Sequence, residues 1–286
     1  MFVTTKELLT RAQSEKYAIG AFNVENMEMI KAVIEAASEM NAPVILQTTP
    51  STVSYGGLAC YQAMVKALVQ DIDIPVALHL DHGSSFALAM QAMRCGYTSI
   101  MIDASSQPLK TNIAVTRSVV EPCHANGITV EAELGKVGGK EDTTKAEKNL
   151  LTDPQEALTF VQETEVDALA VAIGSVHGVY QGKPNIDIQR LQEIQKLVSI
   201  PLVLHGTSGL SDEIVQECIK HGVCKVNYAT DLRIAFTKGV SSMLQKHPET
   251  FDPKKYGMSG QDLVKQYVKD KMRILGCQNK ARLHVR

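Results

Sequence analysis

Short apolar, β-branched runs recur along the chain, and the interval after each leaves room for one amphipathic helix. The runs are YAIGAFNV, APVILQTT, PVALHLDH, TSIMIDAS, TVEAELG, DALAVAIG, PLVLHG and CKVNYAT. Apolar residues at consecutive rather than alternate positions predict parallel strands covered on both faces. Gly96, Gly127 and Gly222 stand where left-handed caps end helices, and Pro75 and Pro201 stand where strands begin. The pattern predicts an opening helix capped by Thr4 or Thr5, a helix from about Asn26, one ending near Gln70, and one from Ser85 to Arg94 with Ser84 as its cap. HPETFDPKKYGMSG interrupts the rhythm, a last helix is expected from about Gln261 to Leu275, and residues from about 280 to 286 read as a flexible tail. Eight βα units in 286 residues predict one (β/α)8 TIM barrel over residues 1–286 with an additional C-terminal helix. A doubly wound open sheet is the alternative, but no GxGxxG follows the first strand.

Composition narrows the partners. A hydrophobic content of 44% suffices for a large core, and a net charge of -2 gives no field suited to nucleic acid or an acidic membrane. Six cysteines without a CxxC pair, and no leader pattern, read as free thiols of a cytoplasmic protein. No apolar stretch approaches the roughly 20 residues needed to span a bilayer.

In a barrel of this kind, chemistry collects where the strands end. The third strand ends in Asp81 and His82, the fourth in Asp103 and the fifth in Glu133. The sixth runs into His177, the seventh ends in His205 and the eighth carries Asn227. Three imidazoles at one mouth would form an open site suited to catalytic Zn²⁺. The alternative is that each is a hydrogen-bonded histidine of the rim or core.

Two loops carry the marks of an anion site. Gly206, Thr207, Ser208 and Gly209 precede one helix, and Asn227, Tyr228, Ala229 and Thr230 open another. Backbone N–H groups at such helix starts attract phosphate, and the loops after the seventh and eighth strands of this fold recurrently do so. Both loops could equally be structural turns. The longer segments 135–150 and 175–185 are candidates for mobile covers over the site.

The motifs HLDHGSSF, MIDAS, VEAELGKVGG with KED, AVAIGSVHGVY, PLVLHGTSGL and KVNYATDL resemble those of the class II, metal-dependent ketose-bisphosphate aldolases over nearly the whole chain. The resemblance implies zinc on His82, His177 and His205, with Asp103 and Glu133 as alternative ligands or partners of ligands. It implies Asp81 as the acid/base residue at the aldehyde end and Glu141 as the shuttle for the carbon-bound proton, with Asp142 as the competing choice. Gly178, Gly206, Thr207 and Ser208, with Asn227, Tyr228, Ala229 and Thr230, would hold the phosphate and triose. A Na⁺ or K⁺ would sit on carbonyls of the His177 and His205 loops, and a homodimer or homotetramer is expected.

Ser208 and Ala229 resemble the tagatose-1,6-bisphosphate branch more than the fructose branch. The expected reaction is therefore cleavage of D-tagatose 1,6-bisphosphate to dihydroxyacetone phosphate and glyceraldehyde 3-phosphate, with zinc stabilising the ene-diolate. The alternatives are fructose 1,6-bisphosphate or a related sugar phosphate. From other classes, a zinc hydrolase would leave the phosphate loops without purpose, and a non-catalytic partner barrel would not need Asp81 beside three histidines.

Overall fold

A computed structural model describes residues 1–141, 144–146, 150–180 and 182–282, with the backbone alone for Lys140, Glu141 and 144–146. The first half runs α1 (Thr5–Glu15), β1 (Ile19–Asn23), α2 (Met27–Glu39), β2 (Val44–Thr48), α3 (Pro50–Gly56), α4 (Leu58–Val69), β3 (Val76–Gly83), α5 (Phe86–Cys95), β4 (Ser99–Ile102), α6 (Leu109–Ala125) and β5 (Thr129–Leu134). There follow β6 (Gly138–Glu141), β7 (Thr144–Ala146), α7 (Pro154–Thr164), β8 (Ala168–Val171), β9 (Val176–His177) and α8 (Ile188–Leu197). The chain closes with β10 (Leu202–Leu204), α9 (Asp212–Lys220), β11 (Val223–Tyr228), α10 (Thr230–Lys246) and α11 (Pro253–Leu275).

The eight apolar runs become the eight strands of a closed parallel barrel in the order β1-β11-β10-β8-β5-β4-β3-β2. The chain thus folds as the expected (β/α)8 barrel with a C-terminal helix. Every residue of β1, β2, β4, β5, β8, β10 and β11 is buried, as consecutive apolar positions require of strands with helices outside and a filled interior. Among the described residues, no helix is long and apolar enough to cross a membrane.

Most helix boundaries follow local chemistry. Asn26 caps α2 by accepting from the Met29 N–H, and Gly96, Gly127 and Gly222 take positive φ as expected. Ser85, not Ser84, caps α5, because its Oγ is the one that reaches the Leu88 N–H. Thr4 occupies the cap position of α1 without a side-chain bond. Thr5 instead turns into the barrel bottom, its Oγ1 lying 2.7 Å from Thr129 Oγ1 and 3.0 Å from Ser99 Oγ.

Two expectations need correction at the C-terminus. The last helix begins at Pro253 rather than near Gln261, with Asp252 capping the Lys254 N–H and proline at the first helical position, where its missing donor costs nothing. Gly257 and Gly260 do not interrupt it. Gly260 lies inside α11 because the helix crosses α10 closely: a Cβ there would stand 2.6 Å from the Phe236 ring, and one on Gly239 2.2 Å from the Ser259 carbonyl oxygen. Gly257 instead faces α2, where a Cβ would stand 3.1 Å from Glu28. The flexible tail was also expected too early. Asn279 and Ala281 donate their N–H groups to the carbonyls of Met40 and Asn41, and Ala281 is buried. Residues 283–286 lie outside those described.

A second small sheet, in the order β7-β6-β9, stands at the barrel mouth. Its parallel pairing of Gly139 with His177 joins the segment after β5 to the segment after β8.

Candidate active site

Adjacent residues of a regular strand point to opposite faces, so Asp81 and His82 should not share a centre. The structure resolves this with a bulge. Leu80 is in register with Ile100 but Gly83 with Ile102, so β3 carries one residue more than β4. His82 absorbs the irregularity at φ 49, a left-handed conformation that costs a side-chain-bearing residue on the order of 1 kcal/mol or more. Gly83 follows because a Cβ there would lie 2.3 Å from the Met101 carbonyl oxygen.

The bulge delivers His82 to His177 and His205. Ring centroids are 5.2 Å apart for His82 and His177, 4.8 Å for His82 and His205, and 5.9 Å for His177 and His205. One nitrogen from each lies within 4.8 Å of the other two, the spacing of a cation-ligand set, and a second set joins His82, Asp103 and Glu133. Asp103 Oδ2 lies 2.8 Å from His82 Nδ1, and Glu133 Oε2 lies 3.1 Å from His205 Nδ1. These carboxylates therefore meet the rings directly, whether as orienting partners or as donors of the second set.

Burial and charge act differently on His177 and His205. Burial, then the neighbouring His82 and His205, hold the His177 pKa well below its ordinary value, so the ring stays neutral and keeps a lone pair. Burial disfavours charge on Asp103, but the hydrogen bond and charge of His82 prevail and lower its pKa. On His205 the hydrogen bonds to Glu131 and Glu133 overcome burial and raise the pKa to about 9, so this ring must release a proton before it can serve as a ligand. Three imidazoles crowded beside carboxylates fit a divalent cation of zinc type.

Asp81 is buried at the same mouth, and three amides converge on its carboxylate. Asn23 Nδ2 and Gln47 Nε2 donate to Oδ2 at 3.0 and 3.1 Å, while Asn227 Nδ2 donates to Oδ1 at 3.1 Å. Although burial opposes ionisation, the positive charges of His82, Lys225 and His205 lower the Asp81 pKa. Asp81 is not the cap of α5, since Ser85 holds that position. Asn23 and Gln47 went unremarked in the sequence. Asn23 ends β1 and Gln47 is the last residue but one of β2, so the position that marks the other site residues marks these two as well.

Around these residues opens a cavity lined by Asn23, Asp81, His82, His177, Gly178, Gly206, Thr207, Ser208, Asn227, Ala229 and Thr230. The two loops suspected of holding phosphate are tied together: Thr207 Oγ1 donates to the Asn227 carbonyl, and Ser208 Oγ accepts from the Asp231 N–H at 3.4 Å. Tyr180, another residue the sequence did not single out, accepts from the Val176 N–H at 3.0 Å and donates to the Gly206 carbonyl at 2.7 Å.

Tyr228 is the exception among the expected phosphate residues. Its side chain does not line the cavity but packs beneath α11, stacked on Phe22 at 5.6 Å and edge-on to Tyr267 at 6.0 Å. Its buried hydroxyl has no hydrogen-bond partner. Strand alternation explains the difference, because Asn227 faces the barrel interior and its neighbour must face the helices.

The Glu141 backbone ends β6, two residues beyond the Gly139–His177 pair. Its side chain, and Asp142, lie outside the described residues, as do 143, 147–149 and 181 of the expected covers.

Comparison with known proteins agrees with this geometry. The family described as fructose-bisphosphate aldolase class-II matches residues 3–280. A fructose-bisphosphate aldolase of Thermus caldophilus is 44% identical across 98% of this chain and 100% of its own length. One from Geobacillus stearothermophilus is 45% identical across 98% of both. The crystal structure of the YdjI aldolase from Escherichia coli K12 superposes with a TM-score of 0.89 at 34% identity, covering 99% of this chain and 100% of that one. A putative fructose-1,6-bisphosphate aldolase from Coccidioides immitis gives 0.87 at 30% identity and 96% coverage of each. The chain belongs to the class-II fructose-bisphosphate aldolases, a family of aldehyde-lyases.

Proposed function

We propose that this aldolase cleaves fructose 1,6-bisphosphate reversibly to dihydroxyacetone phosphate and glyceraldehyde 3-phosphate. The observation that carries the chemistry is the convergence of His82, His177 and His205 beside the amide-held carboxylate of Asp81. Ser208 and Ala229 favour the tagatose epimer on sequence resemblance. The two curated relatives, both named fructose-bisphosphate aldolase, move the balance to fructose.

In this reading His82, His177 and His205 would hold Zn²⁺, with Asp103 orienting the His82 ring through Nδ1 and Glu133 standing beside His205 as an alternative ligand. The cation, when bound, supplies a Lewis acid that stabilises negative charge on the triose phosphate half. Asp81 removes the proton of the C4 hydroxyl as the C3–C4 bond breaks and C4 becomes the aldehyde carbon. The bonding pair remains with C3, which then takes a proton from Glu141 or Asp142. Gly178, Gly206, Thr207, Ser208, Ala229 and Thr230 surround the triose phosphate, helped by the N-terminus of α10. A Na⁺ or K⁺ between the His177 and His205 loops, and a cytoplasmic homodimer or homotetramer, complete the proposal.

The deciding experiment measures metal content and retro-aldol turnover of both epimers by the purified protein. A preference for fructose bisphosphate that disappears with chelator and returns with Zn²⁺ is expected. A preference for tagatose bisphosphate overturns the substrate, and chelator-insensitive turnover overturns the metal.

A further inference from the structure

The barrel interior carries charge that the proposed chemistry does not use. Lys225 on β11 is fully buried, with its Nζ 2.8 Å from Glu131 Oε2 and 3.1 Å from Oε1. Glu131 on β5 is also buried, and its Oε1 lies 3.1 Å from His205 Nε2. Removing two charges from water is costly, and well-packed apolar residues of similar volume would commonly serve a core as well or better. A buried pair that touches a cluster ring is therefore better explained by what it does to that ring than by stability.

The His205 ring is gripped at both nitrogens, and the two grips differ in depth. Glu133, at Nδ1, also belongs to the donor set with His82 and Asp103. Glu131 lies two residues earlier on the same strand, one inward-facing layer (~7 Å) further from the mouth. Nδ1 thus faces the donor cluster and Nε2 faces the interior. We propose that Lys225 and Glu131 are positioning residues for His205: Lys225 anchors the Glu131 carboxylate, and that carboxylate holds Nε2 so that Nδ1 is the nitrogen presented to the cation. The inference rests on the metal-centre reading above. It adds a third layer, in which a lysine that touches neither cation nor sugar sets the affinity of the site.

The test titrates metal-stripped protein with Zn²⁺ against a chromophoric chelator and follows thermal melting in parallel. Glu131→Gln and Lys225→Met are each expected to weaken Zn²⁺ binding about 10- to 100-fold, the usual effect of losing a partner of a ligand. The double variant Glu131→Leu/Lys225→Met removes both charges. It is expected to melt near the wild-type temperature while keeping the weakened affinity, a separation that a purely structural pair would not produce. Any folded variant that binds Zn²⁺ within about threefold of wild type overturns the proposal. Failure of all three to fold also counts against it, because a pair the fold itself requires has no separate task at His205. The His82→Ala variant, which leaves the pair untouched, is the control. If wild type and His82→Ala take up Zn²⁺ equally, the metal-centre reading falls, whereas loss in His82→Ala with none in the pair variants sinks this inference alone.

Discussion

Asp81 Oδ1 accepts a hydrogen bond from Asn227 Nδ2 at 3.1 Å, a contact between β3 and β11 across the mouth of the barrel. Together with Asn23 and Gln47 it fixes the carboxylate from three other strands, so Asp81 has one orientation and rests ionised. Replacing Asp81 by alanine should lower kcat by roughly 10²- to 10⁴-fold, the range of a positioned general base. Zn²⁺ content should stay at the wild-type level. Elemental analysis beside steady-state kinetics checks both, and normal turnover would remove Asp81 from its role.

His205→Ala should behave differently. It deletes a ring of the cation set, so metal content and turnover should fall together. Chelator should lower the melting point of wild type but not of this variant, because an ion bound only to the folded state stabilises it, by about 2.7 kcal/mol at a hundredfold excess over Kd. Equal chelator sensitivity would place the metal elsewhere.

Tyr228→Phe separates the structure from the sequence motif. The hydroxyl is buried without a partner, and the ring sits between Phe22 and Tyr267 rather than on the cavity. Its removal should leave the KM for sugar phosphate unchanged and alter stability by no more than about 1 kcal/mol in either direction. A large rise in KM would restore Tyr228 to the phosphate site.

His79 provides a pH prediction. Burial foremost, then the charge of Lys225, depress its pKa to about 3, against an ordinary value of 6.5. The unfolded chain therefore binds a proton that the folded chain refuses between these limits. Stability is full above pH 6.5 and declines as pH falls toward 3, by up to about 1.4 kcal/mol per pH unit from this residue. Denaturant titrations of His79→Gln should show the slope reduced by about one proton. An unchanged slope would mean that His79 already carries its proton in the fold.

Gly260→Ala tests the crossing of α10 and α11. A methyl group 2.6 Å from the Phe236 ring must push the helices apart, which should cost about 1–3 kcal/mol in a thermal melt despite the better helix propensity of alanine. A gain in stability would show that the contact relaxes freely.

How much of this was legible in the sequence follows from what each element buries. The barrel strands were readable because parallel strands covered on both faces leave uninterrupted apolar runs. His82, His177 and His205 were readable because strand ends converge in a closed barrel. The start of α11 was not, since Gly257 and Gly260 resemble helix breakers unless the approach of α2 to the first and of α10 to the second is known. The sheet β7-β6-β9 was hidden for the opposite reason, as the stretches GGKE and TKA carry no apolar alternation along the sequence. Nor could the bulge at His82 be foreseen, because its cause is a mismatch in length between two paired strands. Tyr228 was misassigned when a loop motif was taken whole, whereas alternate residues of β11 face opposite ways.

At the end of the barrel remote from the three histidines, Thr5, Ser99 and Thr129 bind one another behind His79. The Met1 amino group is moored to the carbonyls of Ile72 and Ile74, just before β3. Thr5, His79, Ser99 and Thr129 are all buried, so packed side chains close this end of the barrel. Whatever reaches the three histidines must therefore enter from the mouth.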